Sequence, residues 1–142
     1  MKRDLTFEAV YPDPPEMVWR ALTDPTSLAE WLMPNDFQPV VGHQFQFRVT
    51  PARGWSGIVD CVVLTVEPPR RLSYSWRSGK LDTVVTWTLE PQGDGTRLAL
   101  VHSGFTGARN VAISFLLGRG WRSNLLSKRL PAMLERLRAG GT

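Results

Sequence analysis

The chain has 142 residues, 42% of them hydrophobic and 21% charged, with six tryptophans, two histidines and one cysteine. That length suits one domain able to bury about 68–70% of its extended surface. No apolar run approaches the roughly 18 residues of a membrane span, the start Met1-Lys2-Arg3-Asp4 lacks the apolar stretch of a secretory signal, and a lone Cys61 makes no internal disulfide; a cytoplasmic location is expected.

The net charge of +4 is unevenly spread. Residues 1–107 carry ten Lys/Arg against twelve Asp/Glu, whereas residues 108–142 carry seven basic groups against Glu135 alone. A basic C-terminal helix can meet nucleic acid or an anionic membrane. With no aromatic or glycine-rich recognition motif beside it, a solvated helix face is the simpler expectation, so neither nucleic acid nor a membrane is expected as a partner.

Residues 4–10 alternate and predict a first strand with Leu5, Phe7 and Ala9 on one face. Asp13-Pro14-Pro15-Glu16 then predicts a helix start, Asp13 capping and Pro14 in the first helical position, for a short helix over 14–22. Thr23-Asp24-Pro25 caps a second short helix ending at Trp31, broken by Leu32-Met33-Pro34-Asn35.

From residue 38 the period becomes two. Phe45, Phe47 and Val49 share a face, as do Ile58, Val62, Leu64 and Val66, then Leu72, Tyr74 and Trp76. Leu81, Val85, Trp87 and Leu89 follow, and the turn Gly93-Asp94-Gly95 leads into Leu98, Leu100 and His102 before a Gly104-Phe105 turn. Strands this regular with loops this short predict antiparallel hairpins with one wet face.

After Gly107 the pattern is helical to about 138, with Leu126, Leu130, Leu134 and Leu137 as one stripe. Trp121 and Leu125 fall nearly opposite that stripe in an unbroken helix. Gly118 and Gly120 could reset the phase, and Pro131 should kink the helix by removing a donor. A half-wet sheet must bury its apolar face, and the terminal helix is the only large element available to cover it.

Several segments carry a resemblance: Val18-Trp19-Arg20-Ala21-Leu22-Thr23-Asp24-Pro25 followed by Trp31; Glu67-Pro68-Pro69-Arg70-Arg71-Leu72-Ser73-Tyr74-Ser75-Trp76; Val85-Thr86-Trp87-Thr88-Leu89-Glu90-Pro91; Gly95-Thr96-Arg97-Leu98 with His102-Ser103-Gly104-Phe105; and Gly120-Trp121. Together they resemble the stand-alone bacterial branch of the activator-of-heat-shock-ATPase homologue family. That family belongs to the START-like (SRPBCC) superfamily, with polyketide cyclases and lipid-transfer proteins. The resemblance covers nearly the whole chain and implies one START-like domain over 1–142. It implies an α+β helix-grip fold: a curved antiparallel sheet of about six strands around a long C-terminal helix, with two short helices after strand one and a ligand cavity between sheet and helix.

The tryptophans and phenylalanines suit such a cavity, since bulky rings with little polar chemistry beside them build an apolar pocket. Trp55, Trp76, Trp87, Phe105, Phe115, Trp121 and Leu125 are the expected wall, with core packing the rival account for Trp76 and Trp87. Trp31, Met33 and Phe37 could lid the mouth. His102, in parity with Leu98 and Leu100, either orients a ligand or acts as a general base, or it is bonded to backbone at a strand end. Asp60, in parity with Ile58 and Val62, must be paired or neutral if it faces the cavity. Thr83 reads as a core hydroxyl and Cys61 as a buried small hydrophobe.

No metal-ligand spacing, phosphate loop or nucleophile elbow is present in the sequence, and no cofactor or metal is expected. The leading expectation is a binding protein for a hydrophobic, ring-containing small molecule. A cyclase or dehydratase-like enzyme using the same cavity, and a chaperone- or protein-interaction module, are the alternatives; a homodimer is compatible with each.

Overall fold

A computed structural model describes residues 2–51 and 55–140. Six strands form one antiparallel sheet: β1 (Lys2–Tyr11), β2 (Gln44–Arg48), β3 (Ile58–Glu67), β4 (Arg71–Ser78), β5 (Leu81–Gln92) and β6 (Gly95–Thr106), in spatial order β1-β6-β5-β4-β3-β2. Two short helices, α1 (Pro15–Thr23) and α2 (Pro25–Trp31), follow β1. A continuous helix closes the chain: α3 (Ala108–Arg119), a π-helical segment (Gly120–Arg129) and α4 (Leu130–Gly140). This is the helix-grip arrangement, the sheet curving around the terminal helix. α3 packs on β1 and β6, and α4 on α1 and α2.

Alternation reads the sheet well for β1, β4, β5 and β6. Leu5, Leu72, Tyr74, Trp76, Leu81, Val85, Trp87, Leu89, Leu98, Leu100 and His102 all point inward and are buried. In β3 the expected face is reversed: Val59, Cys61 and Val63 are buried while Leu64 is 46% exposed. From Ile58 to Leu64 both faces of that strand are apolar except for Asp60, and a carboxylate with no interior partner costs several kcal/mol. The strand therefore turns the Asp60 side to water and leaves Leu64 there with it. Cys61 lies in the core, where burial first, then the nearby Asp60 and Asp36 charges, pushes its thiol up.

Gly104 is a second departure from simple alternation. It lies inside β6 rather than at a turn, with φ +98°, beside an irregularity in the β1–β6 register between Arg3 and Leu5. That irregularity shifts parity, so His102 and Phe105, three residues apart, both face inward with ring centroids 4.7 Å apart.

The expected cap at Asp13 also takes another form. Pro14 holds the N-cap position of α1 with no side-chain bond. Asp13 is buried instead and accepts two hydrogen bonds from Arg138, Nε at 2.8 Å and Nη2 at 3.0 Å. This fork ties the end of α4 to the start of α1. Asp24 does cap α2, accepting from the Ser27 N–H and hydroxyl.

The π-helical segment settles the phase of the terminal helix. Its hydrogen bonds reach five residues back, as from the Leu130 N–H to the Leu125 carbonyl, so each turn takes in one extra residue. Trp121 to Leu126 is then one turn, and Trp121, Leu126, Leu130, Leu134 and Leu137 form a single buried stripe. The next carbonyl in that pattern, Leu126, would be served by residue 131, which is proline and has no N–H. The Tyr11 hydroxyl supplies the missing donor at 2.8 Å across 115 residues of chain. Tyr11→Phe should therefore strand a buried carbonyl and lower stability by about 1–3 kcal/mol in urea denaturation; an unchanged midpoint would show that another donor takes over.

Candidate functional site

Under the π-helical segment the inward side chains of four strands, β2, β4, β5 and β6, meet in one aromatic layer. Trp121 descends from the helix between Trp87 on β5, at 5.6 Å between centroids, and Trp76 on β4, at 5.7 Å. From Trp87 the layer continues to Trp31 at 6.1 Å, on the side of α2. From Trp76 it runs to Phe47 at 5.6 Å, then Phe45 and Phe37 at 5.2 and 5.1 Å. His102 and Phe105 close the β6 side. Most of these contacts are edge-on or tilted, the arrangement ring quadrupoles favour.

Of the residues expected to wall or lid a hollow, Trp31, Phe37, Trp76, Trp87, His102, Phe105 and Trp121 are brought together, each at most 4% exposed. Met33 and Leu125 are half-buried at its margin. Among the described residues the rings occupy the interior themselves, packed against one another at contact distance. The clefts formed by the described residues open to solvent around the helix. One of about 410 Å³ and another of about 220 Å³ run between β1 and the helix, and one of about 280 Å³ lies between α2 and α4, reaching Trp31 and Met133.

Three expected site residues lie elsewhere. Asp60 is on the outer face of the sheet, where Gln46 Nε2 donates to its Oδ1 at 2.7 Å; it lines a polar outer cleft with Asp36, Arg48 and Arg77. Trp55 is 40% exposed, its Nε1 donating to Ser78 Oγ at 2.7 Å. The Arg53-Gly54 lead-in to Trp55 lies outside the described residues. Phe115 is 61% exposed with the Arg3 guanidinium 3.6 Å from its ring centroid. It sits on the flank of α3 beside β1, at the rim of the cleft between that strand and the helix, while Ser114 takes the buried position next to it.

The polar groups of the layer form one directed chain. An indole N–H only donates, so Trp121 Nε1 gives its hydrogen to His102 Nδ1 at 3.1 Å. His102 must then carry its own hydrogen on Nε2, which donates to Thr83 Oγ1 at 2.7 Å, and Thr83 passes its hydroxyl hydrogen to the Trp76 carbonyl at 2.9 Å. Burial holds the imidazole neutral and pushes its pKa down to about 3. A proton on Nδ1 would face the indole N–H head-on. Beside this chain, Trp87 Nε1 donates to the Tyr74 hydroxyl at 3.0 Å and Trp31 Nε1 to the Ala21 carbonyl at 2.8 Å. Every buried side-chain N or O among the described residues has such a partner.

Sequence reasoning passed over Phe45, Phe47 and Tyr74, although the alternation in β2 and β4 already placed them inward. Thr83 it read as a plain core hydroxyl; its place in a relay depends on the β4–β5 register, which pairs Trp76 with Thr83.

The model of the family described as activator of Hsp90 ATPase homolog 1-like protein matches residues 13–135, most of the chain. The chain belongs to that family. The match runs from the Asp13 fork through the ring layer and almost to the end of α4. Among solved structures, protein MLL2253 from Mesorhizobium loti shares 38% identity at a TM-score of 0.84, covering 94% of this chain and 98% of its own. BH1534 from Bacillus halodurans shares 29% at 0.77, covering 94% and 99%. DynU16, from the dynemicin biosynthetic locus, shares 27% at 0.75, with 93% of this chain matched to 47% of the longer DynU16. No curated protein matches the chain. No described helix is long and apolar enough to cross a membrane.

Proposed function

We propose that this family member binds an apolar, ring-containing small molecule between sheet and C-terminal helix, and that the guest enters by lifting the π-helical segment. The observation that carries the reading is the place of Trp121: the central ring of the layer hangs from the stretch that, among the described helices, has π-type hydrogen bonding. Among the described side chains of that stretch Trp121 and Leu126 alone are buried, glycines 118 and 120 precede its tryptophan, and clefts flank it on both sides, so lifting it breaks two anchoring contacts, Trp121–His102 and Tyr11–Leu126. A guest that takes the place of the Trp121 indole against Trp87 and Trp76 recovers the stacking and apolar burial that the indole gives up.

The occurrence of DynU16 in a biosynthetic locus supports a role in small-molecule metabolism. With the Trp121 indole displaced, His102 Nδ1 would face the guest as a neutral acceptor while Nε2 stays on Thr83; a pKa held down to about 3 makes it a weak general base near neutral pH, so binding is the reading we favour. Trp121, Trp87 and Trp76 would contact the guest, with Phe105 and Trp31 at its ends.

The test is titration of the folded protein with N-phenyl-1-naphthylamine, together with native mass spectrometry of protein purified from its own source. Saturable uptake near one probe per chain, quenching of tryptophan emission and a co-purified adduct are expected. Absence of both saturable uptake and any adduct would sink the proposal.

A further inference from the structure

α3 packs on β1 and β6 through one side and leaves apolar side chains on the other. Its sequence holds Val111, Ala112, Ile113, Phe115, Leu116 and Leu117, yet its one buried residue is Ser114. Ala112, Phe115 and Leu116 fall on its outer side by three- and four-residue spacing, with Phe115 61% and Leu116 69% exposed. Around them stand Arg109 and Arg119 and, one turn on, Arg122, whose guanidinium lies 5.2 Å from the Phe7 ring of β1; all three are exposed. Arg3 reaches in from β1, its guanidinium over the Phe115 ring and its Nη1 3.4 Å from Ser114 Oγ.

No Asp or Glu occurs between residues 91 and 134 except Asp94, in the β5–β6 turn. Arg109, Arg119 and Arg122 have no ion pair among the described residues. Arg3, Arg119 and Arg122 also line the cleft of about 410 Å³ that opens beside Phe115. The one acid lining it is Asp4, whose Oδ1 accepts from the Gly104 N–H at 3.0 Å.

We propose that this face of α3 docks on an anionic membrane surface, with Phe115 and Leu116 entering the boundary between headgroups and acyl chains and the arginines meeting lipid phosphates. Such a surface offers hydrocarbon under negative charge, which is the pattern presented here. A second copy of the chain fits poorly, since a two-fold contact through α3 would set arginines against arginines with no acid to pair them. Two projecting side chains are also too little apolar surface for the ~800 Å² per partner of a stable protein interface. A nucleic acid would satisfy the charge and leave Phe115 and Leu116 without a partner. The inference exceeds the solvated face expected from charge alone, and it stands independently of the ligand reading.

The experiment is co-sedimentation of the full chain with vesicles of phosphatidylcholine alone and with about one third phosphatidylglycerol. Binding is expected to the anionic vesicles only, and to fall at about 0.5 M salt. Phe115→Ser/Leu116→Ser and, separately, Arg119→Glu/Arg122→Glu should each weaken partitioning by about tenfold or more, with thermal unfolding confirming that both variants are folded. Failure of the wild type to bind anionic vesicles would overturn the proposal. So would binding that survives the Phe115/Leu116 change, or a wild-type dimer in light scattering that the same change dissolves.

Discussion

Trp121→Ala will lower unfolding free energy by about 3–5 kcal/mol, the range for deleting a buried indole, and indole supplied in solution will restore part of it. The side chain is only 2% exposed and fills the centre of the layer between Trp87 and Trp76. Its removal leaves an apolar hole and an imidazole Nδ1 without its donor. Indole carries both the missing volume and the missing N–H, so it should seat in the hole. At tenfold over its dissociation constant it would return roughly 1.4 kcal/mol, worth several degrees in a domain of this size. Phe115→Ala, an exposed ring of similar bulk, should cost well under 1 kcal/mol beyond its cation–π contact. Should indole leave the variant's melting temperature unmoved, the space around Trp121 collapses on truncation rather than persisting as a seat for rings.

The second large effect is on acid stability. The imidazole of His102 is held at about 3 in the folded protein, against about 6.5 in an unfolded chain. Between those values the unfolded state binds a proton that the folded state refuses, so stability rises with pH across the window. The contribution is fully present above pH ~6.5 and is lost progressively as pH falls towards 3, a total of about 4–5 kcal/mol at 1.36 kcal/mol per unit. No charged side chain touches the ring, whose neighbours are Thr83, Trp76, Phe105 and Trp121, so burial rather than a neighbouring charge sets this part of the slope. His102→Gln removes the titration. Its stability at pH 8 should be lower than wild type, and its acid limb between pH 6.5 and 3 correspondingly flatter. Carboxylates titrate alike in both proteins and drop out of the comparison. Parallel limbs would show that His102 is not the residue refusing the proton.

What the sequence made legible follows from which signals are periodic. Hairpins with one polar face announce themselves, and the inward faces of β1, β4 and β5 were correct because each has a largely polar partner face; β6, with Ala99 and Val101 outward, was read from the parity of Leu98, Leu100 and His102. In β3 both faces are apolar, and one carboxylate, Asp60, decides the matter through the cost of burying it. The extra residue in each π-helical turn leaves no compositional trace. It shows only as the mismatch between Trp121 and the leucine stripe, and the bond that completes it, a tyrosine at 11 serving the carbonyl that proline 131 cannot, is a relation between chain ends. The ring layer was legible residue by residue, but its fullness was not. Whether inward rings line a space or fill it depends on sheet curvature and the depth of the helix, neither of which is a property of local sequence.

The Trp121–His102–Thr83–Trp76 relay has one more effect, on specificity of assembly rather than on its strength. Leucines at 126, 130, 134 and 137 are nearly interchangeable against a greasy sheet, and would tolerate the helix sliding lengthwise by a turn. The imidazole does not: it is locked in a single tautomer whose lone pair one indole alone is placed to fill. Any slipped alignment would abandon that lone pair in a dry interior, so a neutral ring with no evident catalytic duty acts as the notch that admits only one seating of the helix.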